Sequence, residues 1–196
     1  EEGWEESVYP NDAGTMMDRN LGATTSDTEL VGSKGLLYQW GRKDPFLGSS
    51  SMSDPVPAVS TGVWSVSSSE FYNIEECVPM VLYTHQFFNS EDFLWNSNKT
   101  VYDPCPSGWR VPDGGDDGIW AVAGISSNQS LANEYPRVFC TYIFNGSEGL
   151  TGISRYWSVT TLSLDKRYAL FFDHSSATEW WRCDALAVRC QKDVQK

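Results

Sequence analysis

A chain of 196 residues is the length of one ordinary domain and can bury a core without metals or staples. With 40% hydrophobic residues, nine each of Trp, Tyr and Phe, and only 20% charged residues, it fits neither a disordered chain nor a coiled coil, and its core must be largely aromatic. Fourteen Lys and Arg against 26 Asp and Glu give a net charge of −12, which repels phosphate backbones and argues against nucleic acid and anionic membranes as partners.

No run approaches the ~18 apolar residues of a membrane span, so a membrane association would have to come through an N-terminal anchor outside this sequence. The chain opens Glu1-Glu2-Gly3-Trp4, without Met and without the basic start and apolar run of a signal peptide. It reads as a fragment or mature form of a longer protein. The five cysteines, Cys77, Cys105, Cys140, Cys183 and Cys190, contain no C-x-x-C pair, and His85 and His174 are too few to complete a zinc cluster. In an exported protein this layout would tie the C-terminal strand to the middle of the chain, with Cys105–Cys190 as the pairing we expect. Five free thiols in a cytoplasmic protein are the alternative.

In chain order, residues 15–18 are a first strand candidate, and residues 35–40 are a short apolar run that fits a strand or a buried helix equally. From Pro45 to about Ser69 the chain is rich in Ser and Pro, and residues 45–98 read as a long loop-rich surface insertion within the single domain 1–196. Turn formers crowd residues 101–112, and Asp113, Asp116 and Asp117 precede the apolar run Ile119-Trp120-Ala121-Val122-Ala123. Acidic residues ahead of such a run favour a helix N-terminus through capping and the helix dipole, predicting a short helix over about 117–124. Strand candidates follow at 138–144, 156–160, 168–172 and 186–190, separated by Gly, Asn, Ser and Asp turns. In the last, Leu186, Val188 and Cys190 alternate with Ala187 and Arg189, the pattern of a half-buried strand. The class is α+β or mostly β, with many short antiparallel strands and few helices.

Catalytic motifs are missing from this pattern: there is no Walker loop or G-x-G-x-x-G, and Gly146-Ser147-Glu148-Gly149 has the wrong spacing for a nucleophile elbow. Asp113, Asp116 and Asp117 among glycines can wrap a hard cation, which would be calcium, but the distal Glu of an EF-hand loop is missing and a turn with a helix cap explains the same residues. Trp180-Trp181, beside Asp184, can present a stacking platform for a sugar ring or peptide, although adjacent strand residues point to opposite faces and one of the pair then belongs to the core. Tyr72 and Tyr83 are further aromatic candidates for ligand contact.

Five stretches together resemble one family: M-D-R-N-L-G-A at 17–23, G-L-L-Y-Q-W-G-R-K-D-P at 35–45, K-T-V-Y-D-P-C-P-S-G-W-R-V-P at 99–112, Y-W-S-V-T at 156–160 and A-V-R-C at 187–190. In that order they look like the Fibrobacter succinogenes major paralogous domain of bacterial surface proteins, and the central block is the most specific. The resemblance implies a C-type-lectin-like α+β fold with paired N- and C-terminal strands, about two short helices and long loops. It also implies that Trp109, Trp120 and Trp157 are core, and that C-P-S-G-W is a buried turn leading into the helix.

The implied setting is the bacterial outer membrane or fimbria, in a lipoprotein or pilus component. The implied function is a non-catalytic adhesin module that binds a glycan or host surface protein through the 45–98 and 173–184 loops. A structural domain docking on another fimbrial subunit is the alternative. The Glu-Pro-Asn, Gln-Pro-Asp and Trp-Asn-Asp tripeptides of calcium-dependent sugar binders are absent, and Trp95-Asn96-Ser97 lacks the final Asp. The same broad fold includes a sulfatase-activating oxidase, whose chemistry would need reactive thiols, here Cys183 and Cys190.

Overall fold

The computed structural model describes residues 3–27, 30–41, 43, 45–47, 59–60, 94–125, 141–144, 147–150, 155–161, 166–171, 176–181 and 185–194. Within them the chain is mostly strands in antiparallel sheets with few helices. The N-terminal hairpin joins β1 (Glu6–Tyr9) to β2 (Gly14–Met17), and β13 (Gln191–Lys192) lies between β2 and β6 (Trp109–Arg110), giving a four-stranded sheet in the order β1-β2-β13-β6. Strands from the two ends of the chain therefore pair directly, with Gln191 opposite Met16.

A second, nine-stranded sheet contains β3 (Leu37–Gln39), β4 (Phe46–Leu47), β5 (Val59–Ser60), β7 (Thr141–Phe144), β8 (Ser147–Leu150), β9 (Arg155–Thr161), β10 (Lys166–Phe171), β11 (Ser176–Trp181) and β12 (Ala185–Ala187). Its main path runs β11-β10-β9-β12-β3-β4-β5, with the β7–β8 hairpin attached at β12. β12 pairs parallel with β9 and antiparallel with β3. Among the described residues the helical elements are a 3-10 turn, Val31–Ser33, and a single-turn helix α1, Ile119–Val122.

Strand periodicity explains how the core is filled. Successive side chains point to opposite faces, and in three strands both faces are buried, each in a different cluster. Met17, Trp157, Leu186, Val188 and Cys190 enter one cluster with Trp40, Trp95 and Trp109. Their neighbours Met16, Tyr156 and Ala187 enter the other, with Tyr9, Ile119 and Trp120. The alternation expected at 186–190 is present, but the segment is not half-buried: Leu186, Ala187, Val188 and Cys190 are fully enclosed and Arg189 is 4% exposed. The buried Arg189 is hydrogen-bonded, donating through Nη2 to Asn20 Oδ1 (2.8 Å) and to the Tyr156 hydroxyl (3.3 Å).

Two indoles lock the second sheet across its middle. Trp157 on β9 donates through Nε1 to the Tyr38 carbonyl on β3 (2.7 Å), and Trp40, just beyond β3, donates to the Ser158 carbonyl on β9 (3.0 Å). β12 separates those strands in the sheet order, so the two rings reach across it in opposite directions.

Several expectations need correction. Of the loop-rich insertion expected at 45–98, the described residues include the two-residue strands β4 and β5, and Leu94 and Trp95 near its end are core residues, 2% and 0% exposed. Burial of that large indole, whose Nε1 donates to the Tyr102 carbonyl (2.9 Å), anchors the returning chain. Within the 173–184 stretch, expected as a loop, residues 176–181 form β11, paired along its length with β10. The helix is shorter than expected, and its N-cap is Gly118 with no side-chain cap. Asp116 and Asp117 lie before that cap and are exposed. Packing selects glycine there, because a Cβ on Gly118 would fall 2.5 Å from the Asp113 carbonyl oxygen.

Candidate functional site

The chemistry-bearing surface gathers around the turn that ends the C-P-S-G-W block. The Trp109 amide donates to the Pro106 carbonyl (3.0 Å), and Gly108 takes φ +81°, a left-handed position that favours glycine. Ser107 and Gly108 at the tip are exposed, while Cys105 and Trp109 on either side are buried. The turn is thus anchored at both ends with an open tip, not buried as a whole, and it leads into β6.

Three contacts hold it. Asp103, 1% exposed, accepts from the Cys105 amide (2.8 Å), the Val111 amide (2.9 Å) and Lys99 Nζ (3.1 Å). Lys99 Nζ also donates to the Cys105 carbonyl (2.5 Å). One buried carboxylate therefore fixes both flanks of the turn with charge-assisted bonds. The Asp193 amide donates to the Gly108 carbonyl (2.8 Å), tying the tip to the residues after β13. The third contact is covalent: Cys105 and Cys190 form a disulfide with Cα atoms 5.9 Å apart, the expected pairing.

Beside this turn opens a cleft of about 1530 Å³. Arg110 is its central group. Its guanidinium donates to Asp113 Oδ2 (2.6 Å) and faces Asp193 Oδ1 at 3.7 Å. Ser97 Oγ donates to the other oxygen of Asp113 (2.6 Å), and Gly114 N donates to Thr160 Oγ1 (2.8 Å), bringing the end of β9 to the wall. Lys43, Lys99 and Asp117 complete the charged lining.

Of the residues singled out from sequence, Asp113 and Asp117 line this cleft and Asp116 does not. Asp113, Asp116 and Asp117 are not gathered into a metal-holding group; among the described residues no cluster of three or more His, Cys, Asp or Glu is so arranged. Asp113 is instead neutralised by Arg110. Trp180 and Trp181 lie on β11, opposite Arg167 and Lys166 respectively. Tyr72, Tyr83, Asp184, His85, His174, Cys77, Cys140 and Cys183 lie outside the described residues. The core reading of Trp109, Trp120 and Trp157 holds, at 7%, 3% and 0% exposure.

Sequence reasoning missed Ser97, Lys99, Arg110, Thr160 and Asp193. Lys99 and Arg110 sit inside the most specific block, and for Arg110 a charge between the apolar Trp109 and Val111 was the available signal. Nothing local marks Ser97, Thr160 or Asp193, which reach the cleft through pairings distant in sequence. The chain matches no protein-family model, no curated protein and no solved structure.

Proposed function

We propose that this chain is a non-catalytic, extracytoplasmic binding module with a C-type-lectin-like fold, belonging to a bacterial surface or fimbrial adhesin and binding glycan or protein. The observation that carries the reading is the open polar cleft set on a scaffold cross-linked by Cys105–Cys190. Disulfides persist in oxidising compartments, which favours a surface location, and a rigid scaffold presenting a polar concavity suits recognition.

Support for the family comes from how its five blocks meet in space. Met17 N donates to the Cys190 carbonyl, Leu21 N to Val188, Leu36 N to Leu21 and Val159 N to Pro112, while Trp157 reaches Tyr38. Stretches scattered from residue 17 to residue 190 therefore form one contiguous centre, as expected if the blocks mark a shared fold. The pairing of β2 with β13 fits the expected closure of N- and C-terminal strands.

The acidic loop is read as a structural turn and not a calcium site, because Asp113 already serves Arg110 and Ser97. The oxidase reading loses one of its two thiols, since Cys190 is fully buried and disulfide-bonded. Docking on another fimbrial subunit is the second reading. It is favoured by β1, which pairs only with β2 among the described strands and carries Val8 at 73% exposure.

The test is binding of the purified chain to a broad glycan and mucin array, with and without EDTA. Retained spots support the module, and EDTA sensitivity restores the calcium reading. A blank array moves the assignment to subunit docking.

A further inference from the structure

The cleft beside the 104–108 turn has a charge pattern that sorts its ligands. Among the described residues its lining carries three cations, Lys43, Lys99 and Arg110, and three carboxylates, Asp113, Asp117 and Asp193. In a chain of net charge −12 this is a locally balanced site, so the surrounding field repels anions and the cleft does not compensate. Its inner charges are also committed to fixed partners: Arg110 to Asp113 and Asp193, and Lys99 to the buried Asp103.

An anionic ligand would have to compete with Asp113 for the guanidinium and would leave that carboxylate facing it. A hydroxyl both donates and accepts, so it can bridge the edge of an ion pair without separating it. The Ser97 hydroxyl already donates to Asp113 Oδ1 while Arg110 keeps Asp113 Oδ2, so the pair accepts a hydroxyl without separating. Thr160 supplies another hydroxyl on the wall, and the Pro104 and Pro106 rings supply apolar surface for the faces of sugar rings. At about 1530 Å³ the space exceeds the roughly 300–1,000 Å³ of ordinary small-molecule pockets, which suits several linked rings better than one.

We infer that this cleft is a metal-independent binding site for neutral oligosaccharides, in which the Arg110–Asp113–Ser97 chain and Asp117 hydrogen-bond ring hydroxyls. The inference rests on the proposed binding role and names its site and ligand class. It assigns no contact to Trp180 or Trp181.

The experiment compares the intact chain with Ser107→Trp, Asp117→Ala and a Trp180→Ala/Trp181→Ala pair on an array divided into neutral, sialylated, sulfated and uronate oligosaccharides, all in EDTA. Ser107→Trp places a ring into the cleft from the exposed tip, and Asp117→Ala removes an exposed acceptor with little risk to folding, which thermal unfolding checks. Neutral glycans are expected to bind, to lose about tenfold or more in affinity with either cleft variant, and to be unaffected by the tryptophan pair. Binding confined to acidic glycans overturns the ligand class. Neutral binding that survives both cleft variants and disappears with the tryptophan pair overturns the site while leaving the binding module standing. A wild-type blank removes the glycan reading itself.

Discussion

Removing the Cys105–Cys190 cross-link perturbs this fold in a way that can be worked through quantitatively. The bond spans 85 residues of sequence, and the chain-entropy relation for a loop of that size gives about 4.6 kcal/mol of stabilisation through the unfolded state. For a domain of this length each kcal/mol moves the melting temperature by about 2–4 °C, so a drop of roughly 9–18 °C is expected. Cys105→Ala/Cys190→Ala should show the larger loss, because Cys105 is 4% exposed and Cys190 fully buried, so truncation also leaves a cavity. The assay is scanning calorimetry of that double variant and of the intact chain with and without a phosphine reductant, accompanied by a non-reducing peptide map. A map that pairs Cys190 with a cysteine other than Cys105 would refute the assignment. A correct map with a melting shift below about 3 °C would refute the entropic argument, showing that the unfolded chain is already constrained over this loop.

Other expectations concern single side chains. Asp103→Ala should cost about 3–5 kcal/mol, because it strands Lys99 and two backbone N–H groups around the cleft turn; urea unfolding measures it, and Asp103→Asn should recover part of the loss. Trp157→Phe and Trp40→Phe each remove a buried indole hydrogen bond, worth about 1–3 kcal/mol, and a double-mutant cycle should show coupling of about 0.5 kcal/mol or more because both rings clamp the same pair of strands. Burial raises the Asp18 carboxyl pKa, but the hydrogen bond from Arg19 and the Glu5 amide outweigh it, leaving the group below the ordinary 3.8. Its contribution is therefore complete above about pH 4 and lost as the pH falls through the depressed folded value, so Asp18→Asn should flatten the acid limb of a melting-temperature profile taken from pH 6 to 2.5.

How much could be read from the sequence depended on whether a residue's role was local. The candidate strand at 156–160 lies inside β9, whereas of the strand that alternation announced at 186–190 only Leu186 and Ala187 belong to β12, and 188–190 continue beyond it outside any strand. Their double burial was not legible, since a period of two shows which residues share a face but not whether the other face is covered. β1 escaped notice because Glu6 and Val8 are exposed and Tyr9 alone is buried. The helix was placed one turn too broadly because no carboxylate caps it: the N-cap is Gly118, where a side chain would clash with the Asp113 carbonyl. In the cleft, Arg110 and Asp113 are three residues apart and could have been paired on paper. Ser97, Thr160 and Asp193 meet them only after β6, β9 and β13 have been assembled.

The segment from Ala185 to Lys192 has a consequence for the order of events as the chain is made. It supplies the central strand of one sheet and an inner strand of the other, gives side chains to both cores, and carries the distal half of the cross-link. The amides of Met17 and Leu21 have their acceptors at Cys190 and Val188. An N-terminal hairpin emerging from the ribosome therefore waits for more than 160 further residues before its sheet can close. Contacts this distant carry a large loop-closure cost before any return, so folding should be a late, single event with few stable partial structures.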